Sequence, residues 1–262
     1  MTPESYLKGL YGLQARTAVV IGGTGVLGSA FCDALSGAGA HTIVVGRDRN
    51  RGDDCVHRLT AGGASAEFFT ADCTSRKDLE ALAAHLTQAN RAADVVVNGA
   101  GVNAATPFLE ITDDEWDRIV NVNLRGVRLA CQVFGKYMIQ RGTRGSIINI
   151  ASLSGLTPLS RVFTYAATKA AVINLTQNLA REWAPHGIRV NALSPGFFPA
   201  EQNKTILTEE RIENIMRHTP VKRFGQPKEL AGALLLLASP NAGSFVTGAN
   251  VVVDGGFSSM TI

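Results

Sequence analysis

Residues Thr17–Gly39 read TAVVIGGTGVLGSAFCDALSGAG. Thr17–Ile21 is a short apolar run with β-branched residues, the pattern of a buried strand. Glycines follow at once, at Gly22, Gly23, Gly25 and Gly28, and Ser29–Gly37 then reads as a helix that stops at Gly37–Gly39. In a strand-to-helix turn, glycines let the backbone approach a pyrophosphate held at the helix N-terminus, so this is a dinucleotide-binding start. Many βα turns are glycine-rich for steric reasons alone. The position of this one at the first strand, ahead of repeated βα units, favours the binding role.

The units that follow keep the alternation. His41–Gly46 is a second strand whose end meets an adenosine ribose in such folds, where an acid suits a 2′-hydroxyl and an arginine a 2′-phosphate. Here Gly46 is followed by Arg47 and Asp48. Arg47 favours NADP(H); Asp48 keeps NAD open, and the plain alternative is that Arg47 is a solvated loop residue. Ala66–Ala71 is a third strand ending at Asp72, a carboxylate placed for the adenine edge, and Ser75 with Asp78 opens a helix as a variant capping box. Asp94–Val97 is a fourth strand, followed by Asn98-Gly99-Ala100-Gly101. Small residues there let a cofactor lie against backbone, and Asn98 can tie neighbouring strands. Thr112 caps a long helix through Tyr137, with Asp113, Asp114 and Glu115 in the first turn where the dipole favours acids. Asn121 and Asn123 sit inside it against propensity, so one of them has a task. Ile188–Leu193 is a sixth strand before Pro195-Gly196. Residues 197–220 lose strand character and read as a substrate-covering lid. A helix over Lys228–Ala238 and a strand over Val246–Val253 close the chain. There is no repeat, low-complexity tract or linker, so residues 1–262 read as one domain.

Ser146–Val172, SIINIASLSGLTPLSRVFTYAATKAAV, carries the chemistry. Ile147, Ile148 and Ile150 mark a buried strand, and Ser152 stands just past it. Tyr165 and Lys169 follow on an Ala-rich helix, four residues apart and therefore on one face. An ammonium beside a phenol favours the phenolate, which predicts a tyrosine pKa below its ordinary value. With a serine hydroxyl to donate to a substrate oxygen, the three groups suit interconversion of an alcohol and a carbonyl.

Composition sets the limits. The chain has 262 residues, 45% of them apolar, enough for one substantial core. A net charge of +3, with Lys and Arg scattered, gives no basic patch for nucleic acid or a membrane surface. Cys32, Cys55, Cys73 and Cys131 form no CxxC pair and have no His at metal spacing, so they read as reduced packing residues, with no metal site. The N-terminus lacks the apolar core of a signal peptide, and the most apolar run, Leu230–Ala238, is about half a membrane span. The expectation is a soluble cytoplasmic enzyme.

With these parts in order, the chain resembles the short-chain dehydrogenase/reductase family over nearly its whole length. The resemblance rests on the glycine turn Gly22–Gly28, Asp72, the NGAG run Asn98–Gly101, Asn123, Ser152, Tyr165-x-x-x-Lys169 and Pro195-Gly196. Ser152 precedes Tyr165 by thirteen residues, the spacing of the compact single-domain members. The resemblance implies a Rossmann-type, doubly wound parallel sheet of about seven strands, a nicotinamide cofactor and a homotetramer. It makes Tyr165 the general acid/base, has Lys169 lower its pKa and hold the nicotinamide ribose, has Ser152 steady the substrate oxygen, and has Asn123 position a water joining the lysine to solvent. It also implies cofactor contacts from Gly22, Thr24, Gly25, Val26, Leu27, Gly28, Arg47, Asp72, Cys73, Asn98, Gly99, Ala100, Gly101, Tyr165, Lys169, Pro195, Gly196 and Phe198.

Two departures stand out. Val26 occupies a position where compact members usually carry glycine, which resembles the longer sugar-nucleotide epimerases, yet the chain is too short for their second domain. Ala200 stands where a threonine commonly bonds the carboxamide, which loosens the cofactor head unless a neighbour such as Glu201 replaces it. Within the family the local matches are similar to the D-mannonate oxidoreductase (fructuronate reductase-like) sugar-acid group. They are Gly25–Gly28, Pro195–Phe198 with Glu201-Gln202-Asn203, His218-Thr219-Pro220, Arg223-Phe224-Gly225 and Val253–Ser258. That implies substrate contacts from Ser152, Glu201, Gln202 and Asn203, with Arg161 or Lys204 meeting a carboxylate. The alternatives are a reductase of a non-sugar ketone or keto-acyl substrate, and a non-catalytic nucleotide sensor. The retained Asn123, Ser152, Tyr165 and Lys169 weigh against the sensor.

Overall fold

The computed structural model describes residues 2–198 and 208–260. Seven parallel strands form one sheet: β1 Thr17–Ile21, β2 His41–Gly46, β3 Ala66–Thr70, β4 Val95–Asn98, β5 Ser146–Ile150, β6 Arg189–Pro195 and β7 Asn250–Val253. Their order is β3-β2-β1-β4-β5-β6-β7, so the chain reverses its direction of travel across the sheet between β1 and β4. This is the Rossmann-type single domain the sequence predicts. Register places Ile21 opposite Val45 and Asn98, Asn98 opposite Asn149, and Ile150 opposite Leu193, so the strand ends share one edge.

The period-two alternation of strands divides the core. Val19, Ile21, Ile43, Val45, Val96, Ile147 and Val190 face one side, covered by α4 Arg76–Gln88, α6 Gly126–Arg141 and α7 Phe163–Trp183 through Leu79, Leu82, Phe134, Met138 and Val172. Ala18, Val20, Val44, Val97, Ile148 and Leu193 face the other, covered by α2 Val26–Gly37, α3 Arg49–Ala61 and α9 Ala231–Ala238 through Phe31, Leu35, Leu59, Leu234 and Leu237. Because both faces of the sheet centre are buried, β1 and β4 are nearly unbroken apolar runs. Among the described residues no helix is long and apolar enough to cross a membrane.

Three helix boundaries differ from the sequence reading. The helix after the glycine turn begins at Val26, three residues before Ser29, because the turn itself is short. The helix expected from Thr112 to Tyr137 is α5 Asp113–Val120 and α6, joined by a π-helical turn over Asn121–Arg125 in which the Gly126 N–H donates to the Asn121 carbonyl. The expected 228–238 helix is a 3₁₀ turn, Pro227–Leu230, leading into α9. At the start of the chain, α1 Pro3–Tyr11 is fastened to the far end. Ser239 Oγ donates to the Leu10 carbonyl at 2.6 Å and Asn241 Nδ2 to the Gly9 carbonyl at 2.7 Å.

Candidate active site

The candidate cofactor and catalytic residues that the structure describes gather along the carboxyl edge of the sheet, where a doubly wound fold opens a crevice at the reversal of strand order. At the first turn, both Gly22 and Gly23 donate to the Val45 carbonyl, at 2.9 and 3.0 Å, which folds the chain back over β2. Gly22 has φ +83°, and a Cβ there would sit 2.7 Å from the Ala100 nitrogen. A Cβ on Gly28 would collide with the Gly22 carbonyl. These two positions therefore need glycine for close approach. Gly25 begins α2 with no side-chain cap, which leaves the helix N-terminus facing the crevice, and Val26 and Gly25 are exposed there. Leu27 packs into the core, and Thr24 lies against Gly46, where a Cβ would come within 2.7 Å of its Oγ1. A bare helix end behind a side-chain-free cradle fits a dinucleotide pyrophosphate.

At the end of β2 the Arg47/Asp48 alternative sharpens. Asp48 is the N-cap of α3, accepting from the Arg51 N–H at 3.1 Å, and its other oxygen is 3.7 Å from the Arg51 guanidinium. Arg47 is exposed and forms no ion pair among the described residues. Asp72 Oδ1 accepts from the Thr74 N–H and hydroxyl, which fixes its carboxylate at the crevice, and the neighbouring Cys73 thiol is pushed up to about 11, first by burial and then by Asp72. Asn98 ties strands as expected: its Nδ2 donates to Asn149 Oδ1 at 2.7 Å, and Asn149 passes the connection to Thr176. Gly99, Ala100 and Gly101 then cross the crevice floor.

Ser152 leaves β5 as the cap of a 3₁₀ turn, and the Ser154 hydroxyl donates to its Oγ at 3.0 Å. Tyr165 lies in the first turn of α7, hydrogen-bonded to Ser152. Lys169 is buried; its Nζ donates to the Ile150 carbonyl at 2.7 Å and lies 5.3 Å from the Tyr165 ring centre. The tyrosine pKa corrects the sequence reading. Burial pushes the Tyr165 phenol up, opposed by the Ser152 hydrogen bond, and burial pulls Lys169 down to about 8. Desolvation disfavours both charged forms and outweighs the attraction between them.

Asn123 is held on all sides. Its fully buried amide accepts from the Val102 N–H and donates to the Val102 carbonyl, both at 2.8 Å, and also reaches Thr168 Oγ1 at 3.3 Å. The side chain thus joins the Gly101–Val102 loop to α7. The side chain of Phe198 turns away from the site. Its ring is buried in the core beside Gly225 rather than open to the crevice. Gly196 donates to the Val253 carbonyl, and a Cβ on it would lie 2.6 Å from the Asp254 Cα, so the chain leaving β6 passes tightly over β7.

The loop between Ser152 and Tyr165 walls a cavity of about 620 Å³ with α8 Glu209–His218. Arg161 lines it in a left-handed backbone conformation, φ +63°, and so do Phe197 and Phe257, whose rings meet edge to face at 5.1 Å. Arg211, which the sequence reading missed, lines it too and donates to the Ser160 carbonyl at 2.9 Å. Ala200, Glu201, Gln202, Asn203 and Lys204 lie outside the described residues.

A family model described as enoyl-(acyl carrier protein) reductase matches residues 24–258. The chain is 35% identical to the uncharacterized oxidoreductase UxuB of Bacillus subtilis (strain 168), over 94% of this chain and 95% of that protein. It is 38% identical to a galactitol 2-dehydrogenase of Rhizobium johnstonii, over 94% and 96%. Among solved structures, a gluconate 5-dehydrogenase from Burkholderia cenocepacia J2315 in complex with NADP and tartrate superposes with a TM-score of 0.93 at 32% identity, covering 97% of this chain and all of that one.

Proposed function

The chain belongs to the short-chain dehydrogenase/reductase family and is an NAD(P)-dependent oxidoreductase acting on CH–OH groups; we propose that its substrate is a sugar acid or related polyol, of the D-mannonate/D-fructuronate type. The observation that carries this reading is the cavity into whose lining Arg161, on the loop between Ser152 and Tyr165, brings a guanidinium. It is supported by relatives named for galactitol and gluconate.

In this reading Tyr165 gives its proton to the substrate oxygen in reduction and takes it back in oxidation. Ser152 donates to the same oxygen and holds it beside the phenol. The nicotinamide ring supplies or accepts the hydride when bound. Lys169, anchored on the Ile150 carbonyl, presents its ammonium to the phenol and to the cofactor ribose. Asn123 keeps the Gly101–Val102 loop against α7. Gly22, Gly25, Gly28 and the α2 N-terminus would hold the pyrophosphate, Asp72 and Cys73 the adenine, and Pro195-Gly196 with the Phe198 backbone the carboxamide. Arg47 favours NADP(H), since Asp48 is spent as a helix cap. The substrate cover expected over residues 197–220 includes α8, while residues 199–207 lie outside the described residues. Exposed Phe108, Leu109, Trp116 and Phe163 give an apolar face for a cytoplasmic homotetramer.

The test is a panel of aldonates, uronates, polyols and simple ketones, each with both nicotinamide cofactors. Turnover of acids or polyols is expected; turnover confined to simple ketones rejects the substrate class. Tyr165→Phe is expected to lower kcat by at least about a thousandfold while NADPH still binds. A near-normal rate in that variant removes Tyr165 from the chemistry.

A further inference from the structure

We propose that Arg211 and Arg161 together form a two-guanidinium clamp for the carboxylate end of an open-chain polyhydroxy acid, and so set the preference for acids over neutral polyols. This rests on the substrate class proposed above and adds its specificity determinant.

The two arginines come from elements fifty residues apart and line one cavity. Arg211 is tied to that wall by its bond to the Ser160 carbonyl, the residue before Arg161. Arg161 itself holds φ +63°, a left-handed conformation that is strained for a non-glycine residue and of the kind that clusters at ligand clamps. The bond to Ser160 braces the loop at that point. Burial first, and then the nearby charge of Arg161, hold Arg211 below the usual guanidinium value. Two like charges side by side call for an anion between them. Among the described residues neither forms an ion pair, although Arg16, Arg49, Arg51, Arg58, Arg76 and Arg223 all do. Glu210 also lines the cavity but pairs with neither. Guanidinium forks match a carboxylate with paired N–H donors, and a clamp with one arm on the loop between Ser152 and Tyr165 orients the far end of a chain-like substrate. Asn214 and His218 on the same helix face offer partners for hydroxyls.

The experiment compares D-gluconate, D-mannonate and galactitol with wild type, Arg211→Met, Arg211→Lys and Arg161→Met. NADPH affinity and the unfolding midpoint serve as checks on the fold. The expected result for Arg211→Met and Arg161→Met is a ten- to hundredfold loss of kcat/KM for the acids, carried by KM, with galactitol changed less than twofold. Arg211→Lys is expected to recover part of the loss. Equal losses on acid and polyol, or no loss on acid, overturn the clamp. If wild type turns over neither class, the substrate reading itself has failed, and calorimetric titration of D-gluconate into the NADP⁺-loaded protein decides the clamp. Binding weakened by Arg211→Met supports it, and no binding to wild type, or none lost in the variant, removes it.

Discussion

Lys169 sets the strongest residue-scale constraint, because its ammonium is held where little water reaches it. Its pKa is about 8 in the folded protein against 10.5 unperturbed. Between those values the unfolded chain binds more protons than the folded one, so this group makes stability rise with pH across that window. Below about 8 the folded state bears the full cost of the buried charge, roughly 3 kcal/mol. The thiols of Cys73 and Cys131, pushed up by burial to about 11 and about 12, oppose this rise near the top of the window. Urea unfolding of the apoprotein between pH 7.5 and 10 is therefore expected to give wild type a more positive slope with pH than Lys169→Met. Tyr165, pushed upward, acts in the opposite sense and only above its ordinary range, so it leaves this window untouched. Parallel slopes in the two proteins would contradict the assignment. The spacing of Ser152, Tyr165 and Lys169 was legible in the chain, since a helix fixes which residues share a face. Their pKa values were not, because desolvation comes from packing that no local pattern reports. Arg211 left one faint signal: a cation in the first turn of a helix opposes the dipole that Glu209 and Glu210 satisfy there.

Among the elements, the π-helical turn between α5 and α6 explains why two asparagines interrupt a helical pattern. Such turns occur mostly at functional sites, and this one aims the Asn123 amide at both polar groups of Val102. Asn123→Leu leaves those groups without partners and is expected to cost about 2–4 kcal/mol in unfolding free energy, read by urea titration. A change below 0.5 kcal/mol would mean the loop holds itself. Periodicity could not reveal the extra residue, because the sequence on either side remains helical. The poor propensity of asparagine could, and did. The glycine turn was legible for a firmer reason: steric exclusion at Gly22 and Gly28 admits no other residue.

Across the whole molecule, the candidate cofactor residues that the structure describes stand along one edge of the sheet, and a cofactor bound there adds its affinity to global stability. A ligand at one hundred times its Kd adds about 2.7 kcal/mol to the folded state. At equal concentrations NADPH is expected to raise the melting temperature of wild type more than NADH does. Arg47→Ala is expected to erase that difference by weakening NADPH alone, and equal losses with both cofactors would return Arg47 to the solvent. The strand order is not written in any single segment. Family likeness implied a doubly wound sheet of about seven strands without giving that order, and the limits of β3, β4, β6 and β7 moved by one to four residues because ends depend on their neighbours. Ser239 and Asn241 hold the carbonyls of Leu10 and Gly9 across more than two hundred residues of chain. The consequence is one of timing: α1 is made more than two hundred residues before Ser239 and Asn241, and it waits undocked until the segment that carries them has followed.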